Sequence, residues 1–241
     1  MPEPLQKRIQ YFHDEVILEG YLSRQAFATQ RSPGIIIAHE WMGIEPHIIE
    51  YADALALRGY TAFVVDLYGK SNVPENYEEA KTLSDELRNN RHLLRERMLA
   101  GLDVLRQQDN VDASRIAAIG FSLGGCAVME LGRTGENIKG LVSFYGDVGS
   151  PHKENAKLIK GKVLVLHGGS DPYVNMEHVT DFNDEMKSGN IACEIVIYSQ
   201  ALHGFSNPKE SKSANAGSSF DEHVHCMAWE RMLLFLEEVF S

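Results

Sequence analysis

The chain has few cysteines, a deficit of basic residues and no long apolar run. Its 241 residues include three cysteines, Cys126, Cys193 and Cys226. They form no C-x-x-C pair and are odd in number, which suits a reducing cytoplasm better than a disulfide framework. Lys and Arg total 23 against 34 Asp and Glu, a formal charge of −11. Nucleic-acid binding draws on clustered Lys and Arg and on counterion release, so this balance argues against a nucleic-acid partner. No stretch nears the 18 or so apolar residues of a spanning helix, and Met1-Pro2-Glu3-Pro4 lacks the apolar core of a secretory leader. The expectation is a soluble cytoplasmic protein with no membrane partner. With 44% apolar and 24% charged residues, its composition is that of a chain with one large core, a single domain spanning 1–241.

What is present is an alternation of short apolar runs with helical stretches. Arg8 to Phe12 and Glu15 to Tyr21 alternate around His13-Asp14 and read as an antiparallel hairpin. Gly34–Ala38, Thr61–Val65, Ile116–Ile119, Leu141–Tyr145, Val163–Leu166 and Glu194–Tyr198 read as strands, most of them buried on both faces. Helices are predicted between them: about 46–58, one long helix over about 75–108, one from Leu123, about 175–187, and a terminal one near 223–239. This is the pattern of an α/β fold with a mostly parallel sheet, helices on both faces and an N-terminal hairpin. In such sheets ligands gather beyond the carboxyl ends of the strands, so chemistry is sought there.

Directly after Ile116–Ile119 comes Gly120-Phe121-Ser122-Leu123-Gly124-Gly125, a G-x-S-x-G match between a strand and a helix. A sharp turn there lifts the Ser122 hydroxyl to the sheet top, and small residues on either side let the two backbones pass closely. A serine nucleophile needs a base, and the base an orienting carboxylate, in the order Ser, acid, His. Asp171 follows the Val163 strand in Gly168-Gly169-Ser170-Asp171-Pro172, and His203 follows the Glu194 strand in Ala201-Leu202-His203-Gly204-Phe205. The oxyanion of a tetrahedral intermediate needs two backbone N–H donors, expected from Leu123 and from Trp41 in the loop after the Gly34 strand. Glu40 in that loop is read in two ways, as a carboxylate tuning the nucleophile or base and as a cap on loop backbone.

These motifs together resemble the dienelactone hydrolases. The likeness runs through His39-Glu40-Trp41-x-Gly43, Val65-Asp66-Leu67-Tyr68-Gly69, the Ser122 elbow, Leu166-His167-Gly168-Gly169-x-Asp171-Pro172 and His203-Gly204-Phe205-x-Asn207-Pro208 to Trp229-x-x-Met232. The resemblance implies an α/β-hydrolase fold that cleaves ester or lactone bonds without cofactor or metal, with Ser122, Asp171 and His203 as a catalytic triad and Glu40 beside the nucleophile. Two departures stand out. The family typically carries Cys at the nucleophile, where this chain has Ser122. Its best-known members bind a substrate carboxylate with an Arg four residues after the histidine, where this chain has Asn207. The expected partner is thus a small neutral ester or lactone, and the chain a monomer or weak homodimer. The competing reading is a non-catalytic binding protein on the same fold.

Other signals carry less. Arg88, Arg91 and Arg95 lie along one side of the long helix and are expected to be solvated. Arg91, at the border of the stripe Leu83, Leu87, Leu94, Met98, Leu102 and Leu105, is also read as a buried ion-pair partner or carboxylate anchor. Gly69-Lys70-Ser71 lacks the first glycine of a phosphate loop. His223-x-His225-Cys226 lacks a second ligand pair for a metal. The segment 207–220, rich in Ser, Lys, Asn and Gly, is a loop of the length that often covers a site.

Overall fold

A computed structural model describes residues 3–27, 30–70, 72–212 and 216–241, without the side chains of 211 and 212. The chain divides into two compact units, one running to Ile119 and the other from Gly120, with the division inside a strand.

The first unit opens with β1 (Leu5–His13) and β2 (Val16–Arg24), paired antiparallel from Leu5↔Arg24 to His13↔Val16. Their two-residue turn places Asp14 at φ 51°, where an Asp is tolerated. Next come β3 (Ser32–Ala38), helix α1 (Pro46–Leu57), β4 (Thr61–Val65), helices α2 (Tyr77–Asn89) and α3 (Arg91–Arg106), and β5 (Val111–Phe121). The strand order is β1-β2-β4-β3-β5, with β2 antiparallel and β3 parallel to β4. Ile35, Ile36, Ile37 and Phe63, Val64, Val65 have no exposed surface, the signature of strands covered on both faces. Pro46 sits in the first turn of α1, where its missing N–H costs nothing, and Ile48, Tyr51, Ala52 and Leu55 form the buried stripe.

The single helix predicted over about 75–108 is two helices. Asn90, at φ −117° and ψ 77°, ends α2, and its side chain accepts the Leu93 N–H as the cap of α3. Apolar spacing continues through the break, so periodicity alone does not register it. Asn89-Asn90 is the local signal, since Asn competes for backbone hydrogen bonds and prefers caps. Arg88, Arg91 and Arg95 are half-buried. Arg97, outside that stripe, is the buried arginine of α3, 6% exposed.

The second unit takes up the end of β5 and continues with α4 (Leu123–Gly132), β6 (Gly140–Phe144), β7 (Lys162–Gly168), α5 (Met176–Ser188), β8 (Cys193–Tyr198) and α6 (Glu222–Phe240). β6, β7 and β8 are parallel neighbours in that order. Helix α4 is buried along its whole length, which accounts for its lack of polar residues apart from Glu130. Asn175 and Asp221 cap α5 and α6 by accepting the His178 and Val224 N–H groups. Val224, Ala228, Met232, Phe235 and Leu236 give α6 one buried face. A buried ionic group ties the unit together. Arg133 donates to Glu130 at 3.1 Å, to Glu185 at 2.8 Å and to the Val148 carbonyl at 2.8 Å.

Candidate active site

Ser122 stands at the junction of β5 and α4 with φ 51° and ψ −111°. This left-handed geometry is unusual for a residue with a side chain and stores backbone strain of about 1–3 kcal/mol. Its N–H donates to the Phe144 carbonyl at 3.0 Å, and its carbonyl accepts from Gly125 and Cys126. The turn is possible because a Cβ at Gly120 would lie 2.0 Å from the Gly124 oxygen, an overlap only glycine avoids. As the first helical residue, Leu123 has an N–H with no intrahelical acceptor.

Asp171 follows β7. Its Oδ1 accepts the N–H groups of Tyr173 at 2.8 Å and Val174 at 3.0 Å, fixing the carboxylate. Gly168 brings this turn against the chain after β8, since a Cβ there would lie 2.6 Å from the Ala201 oxygen. The Ser170 N–H donates to that same oxygen at 3.0 Å. His203 is held from the far side, where the Ser219 N–H donates to its carbonyl at 3.0 Å and the Asp221 N–H to that of Phe205 at 3.1 Å.

These supports bring three side chains into line. Ser122 Oγ lies 2.9 Å from His203 Nε2, and His203 Nδ1 lies 2.7 Å from Asp171 Oδ2. Ser122 is 5% and Asp171 6% exposed. Burial pushes the Asp171 carboxyl up, but the hydrogen bond and charge of His203 and the two backbone amides outweigh it and hold it below the ordinary carboxylate range. An ionised Asp171 fixes the tautomer with the proton on Nδ1 and leaves Nε2 as the acceptor facing the serine hydroxyl.

Two aromatic rings unnoticed in the sequence flank the imidazole. Tyr145 and Tyr173 each meet His203 edge to face, with centroids 5.2 Å away. Tyr145 is fully buried at φ 41°, just past β6, which ends at Phe144 and not at Tyr145 as the apolar run implied. Behind Asp171, His167 is 1% exposed, and burial holds it below the ordinary histidine range.

The first unit carries the other two named residues. Trp41 stacks on Tyr77 with centroids 5.4 Å apart, and its carbonyl accepts the Tyr68 hydroxyl at 2.8 Å. Glu40 is buried, with an oxygen 3.5 Å from His47 Nε2. His39 anchors this loop: its Nδ1 donates to the Glu40 carbonyl at 2.6 Å and its Nε2 accepts the Leu67 N–H at 3.1 Å. Asn207 is 3% exposed, with its Oδ1 accepting the Lys209 N–H at 3.0 Å. It is built into loop backbone. Of the segment 207–220, residues 208–212 form a short 3-10 turn, and residues 213–215 lie outside those described.

A strand-to-helix elbow with a strained serine, a carboxylate after β7 and a histidine after β8, the last strand, define an α/β-hydrolase fold. The chain belongs to the dienelactone hydrolase family, whose model matches residues 18–240, and that family is one of hydrolases of the ester and lactone type. The solved structure of m3DLH is 30% identical, with a TM-score of 0.95 and the whole of both chains covered. A dienelactone hydrolase-like promiscuous phosphotriesterase from metagenomic libraries, P91, is 27% identical with the same score and coverage. Protein usf of Aquifex pyrophilus is 24% identical over 234 residues, 95% of this chain and 97% of that one. No helix among the described residues is long and apolar enough to cross a membrane.

Proposed function

We propose that this chain hydrolyses a neutral carboxylic ester or lactone by acyl transfer through Ser122. The observation that carries the reading is the continuous hydrogen-bond line Ser122–His203–Asp171, at 2.9 and 2.7 Å. Ser122 Oγ attacks the substrate carbonyl carbon while its proton passes to His203 Nε2. The resulting oxyanion is held by the amides of Leu123 and, in this reading, Trp41. The carbon–oxygen bond of the leaving group then breaks, and His203 returns the proton to the departing oxygen. Water attacks the acyl-serine, giving its proton to Nε2, and collapse of the second tetrahedral species releases the acid and restores the Ser122 hydroxyl. Asp171 stabilises the imidazolium formed in both halves.

Glu40 tunes the nucleophile or base in this reading, and its role is smaller than in a thiol enzyme because a hydroxyl depends on His203 for activation. Asn207, at the position where an Arg would bind a substrate carboxylate, favours neutral substrates. So does the net charge of −11, which does not draw anions from solution. The chain works, in the same reading, as one cytoplasmic domain with no cofactor or metal taking part in acyl transfer and no nucleic acid or membrane partner, as a monomer or weak homodimer.

The test is a panel of p-nitrophenyl esters and small lactones, with a p-nitrophenyl phosphotriester added because P91 is a phosphotriesterase. Turnover of neutral esters or lactones that falls by about 10⁴-fold or more in Ser122→Ala supports the reading. Turnover unchanged in Ser122→Ala contradicts it. Activity confined to Ser122→Cys, or none on any substrate, favours the non-catalytic binder.

A further inference from the structure

Among the described residues, a group of three buried metal-ligating side chains lies in the first unit. Glu40, Glu45 and His47 each present a ligand atom, and these atoms all lie within 4.8 Å of one another. The three are 3%, 8% and 4% exposed. They converge because the chain after β3 turns tightly, with the Gly43 N–H donating to the Glu40 carbonyl at 3.2 Å and the Glu45 N–H to the Gly43 carbonyl at 3.0 Å. Helix α1 then starts at Pro46 and carries His47 inward. Glu45 occupies the N-cap position of that helix, yet its side chain makes no capping hydrogen bond.

His47 points to a ligand. Its ring is buried, and neither ring nitrogen makes a hydrogen bond among the described residues. A buried imidazole ordinarily satisfies both nitrogens. Its Nε2 faces a Glu40 oxygen at 3.5 Å, too long for a good hydrogen bond. That separation is close to the edge of a coordination tetrahedron, about 3.4 Å for ligands some 2.1 Å from a metal. Two carboxylates and an imidazole are a hard-to-borderline donor set, suited to zinc and neighbouring transition ions rather than calcium, which takes six or more oxygens. A divalent ion also matches the two carboxylate charges. A cavity of about 190 Å³, lined in part by His39, Gly43 and Ile44, borders the same loop.

We propose that Glu40, Glu45 and His47 bind a divalent transition ion of the zinc class, three protein ligands leaving one position for water. The ion steadies the loop between β3 and α1 and shares Glu40 with the tuning role proposed above.

Chelator-treated full-length protein is titrated with Zn²⁺ by calorimetry and melted with and without the ion. The expected results are about one equivalent bound and a Tm rise of roughly 5 °C at saturation, reversed by chelator. His47→Gln abolishes both effects, and Glu45→Gln weakens binding tenfold or more. His225→Ala, on the C-terminal helix, leaves both intact. X-ray absorption shows only nitrogen and oxygen neighbours near 2.0–2.1 Å. Overturning results are no binding by the wild type, undiminished binding by His47→Gln, or sulfur in the coordination shell. If His47→Gln does not fold, Glu45→Gln and the absorption spectrum decide. Ester turnover is recorded alongside, so that failure at Ser122 and failure of metal binding are read separately.

Discussion

Ser122 combines a strained backbone with an aligned hydroxyl, and the two can be separated by substitution. Ser122→Ala and Ser122→Gly both lack Oγ and differ only in Cβ. At an ordinary position Gly is the less stable of the pair by about 0.5–1 kcal/mol. At φ 51° and ψ −111° the order inverts, because Gly relieves strain of about 1–3 kcal/mol that Ala retains. Urea unfolding is expected to find Ser122→Gly the more stable by roughly 1 kcal/mol. If Ala is the more stable, the turn is not under strain. Neither variant is expected to turn over esters.

At the scale of elements, strand-end chemistry was legible because the fold puts it in a fixed place. Apolar runs located the strands, and the first polar residues beyond them included Ser122, Asp171 and His203. The break at Asn90 was not legible in the periodicity, since the buried stripe runs from Leu87 to Leu94 across it, and Asn89-Asn90 is its only local mark. Nor were the rings of Tyr145 and Tyr173 beside His203, which depend on which side of a turn a side chain falls. Glu130, Arg133 and Glu185 were also missed, being 55 residues apart at their extremes and visible as a group only once α4 and α5 are packed. All three are buried, and burial pushes the Glu185 carboxyl up despite the opposing pull of Arg133. Arg133→Met, which strands two buried carboxyls, is expected to cost about 3–5 kcal/mol. Replacing all three by apolar residues of similar volume is expected to recover most of that loss, as read by thermal or urea unfolding. No recovery would mean the group holds the unit by more than charge balance.

For the molecule as a whole, acid stability is the readable property. His167 and His225 are held below the ordinary histidine range mainly by burial. The unfolded chain therefore takes up protons near pH 6.5 that the folded chain refuses, so stability is full above that pH and falls as pH drops toward the folded values. Each refused proton contributes a slope of about 1.4 kcal/mol per pH unit in that window. Asp171 acts lower down: its depressed carboxyl adds stability above the unfolded value near 4, lost as pH falls through the folded value. Urea midpoints at pH 7.5 and 5.5 are expected to differ less in His167→Gln than in the wild type. An unchanged difference would show that His167 is not the group taking up the proton.

The central claim is that Ser122 is a nucleophile activated by His203 and oriented through Asp171. It is tested most directly by treating the folded protein with a fluorophosphonate and locating the adduct by peptide mass spectrometry. One phosphonylated residue is expected, Ser122, with labelling at least about 10²-fold slower in His203→Ala and intermediate in Asp171→Asn. Labelling elsewhere, no labelling, or the same rate in His203→Ala would contradict it.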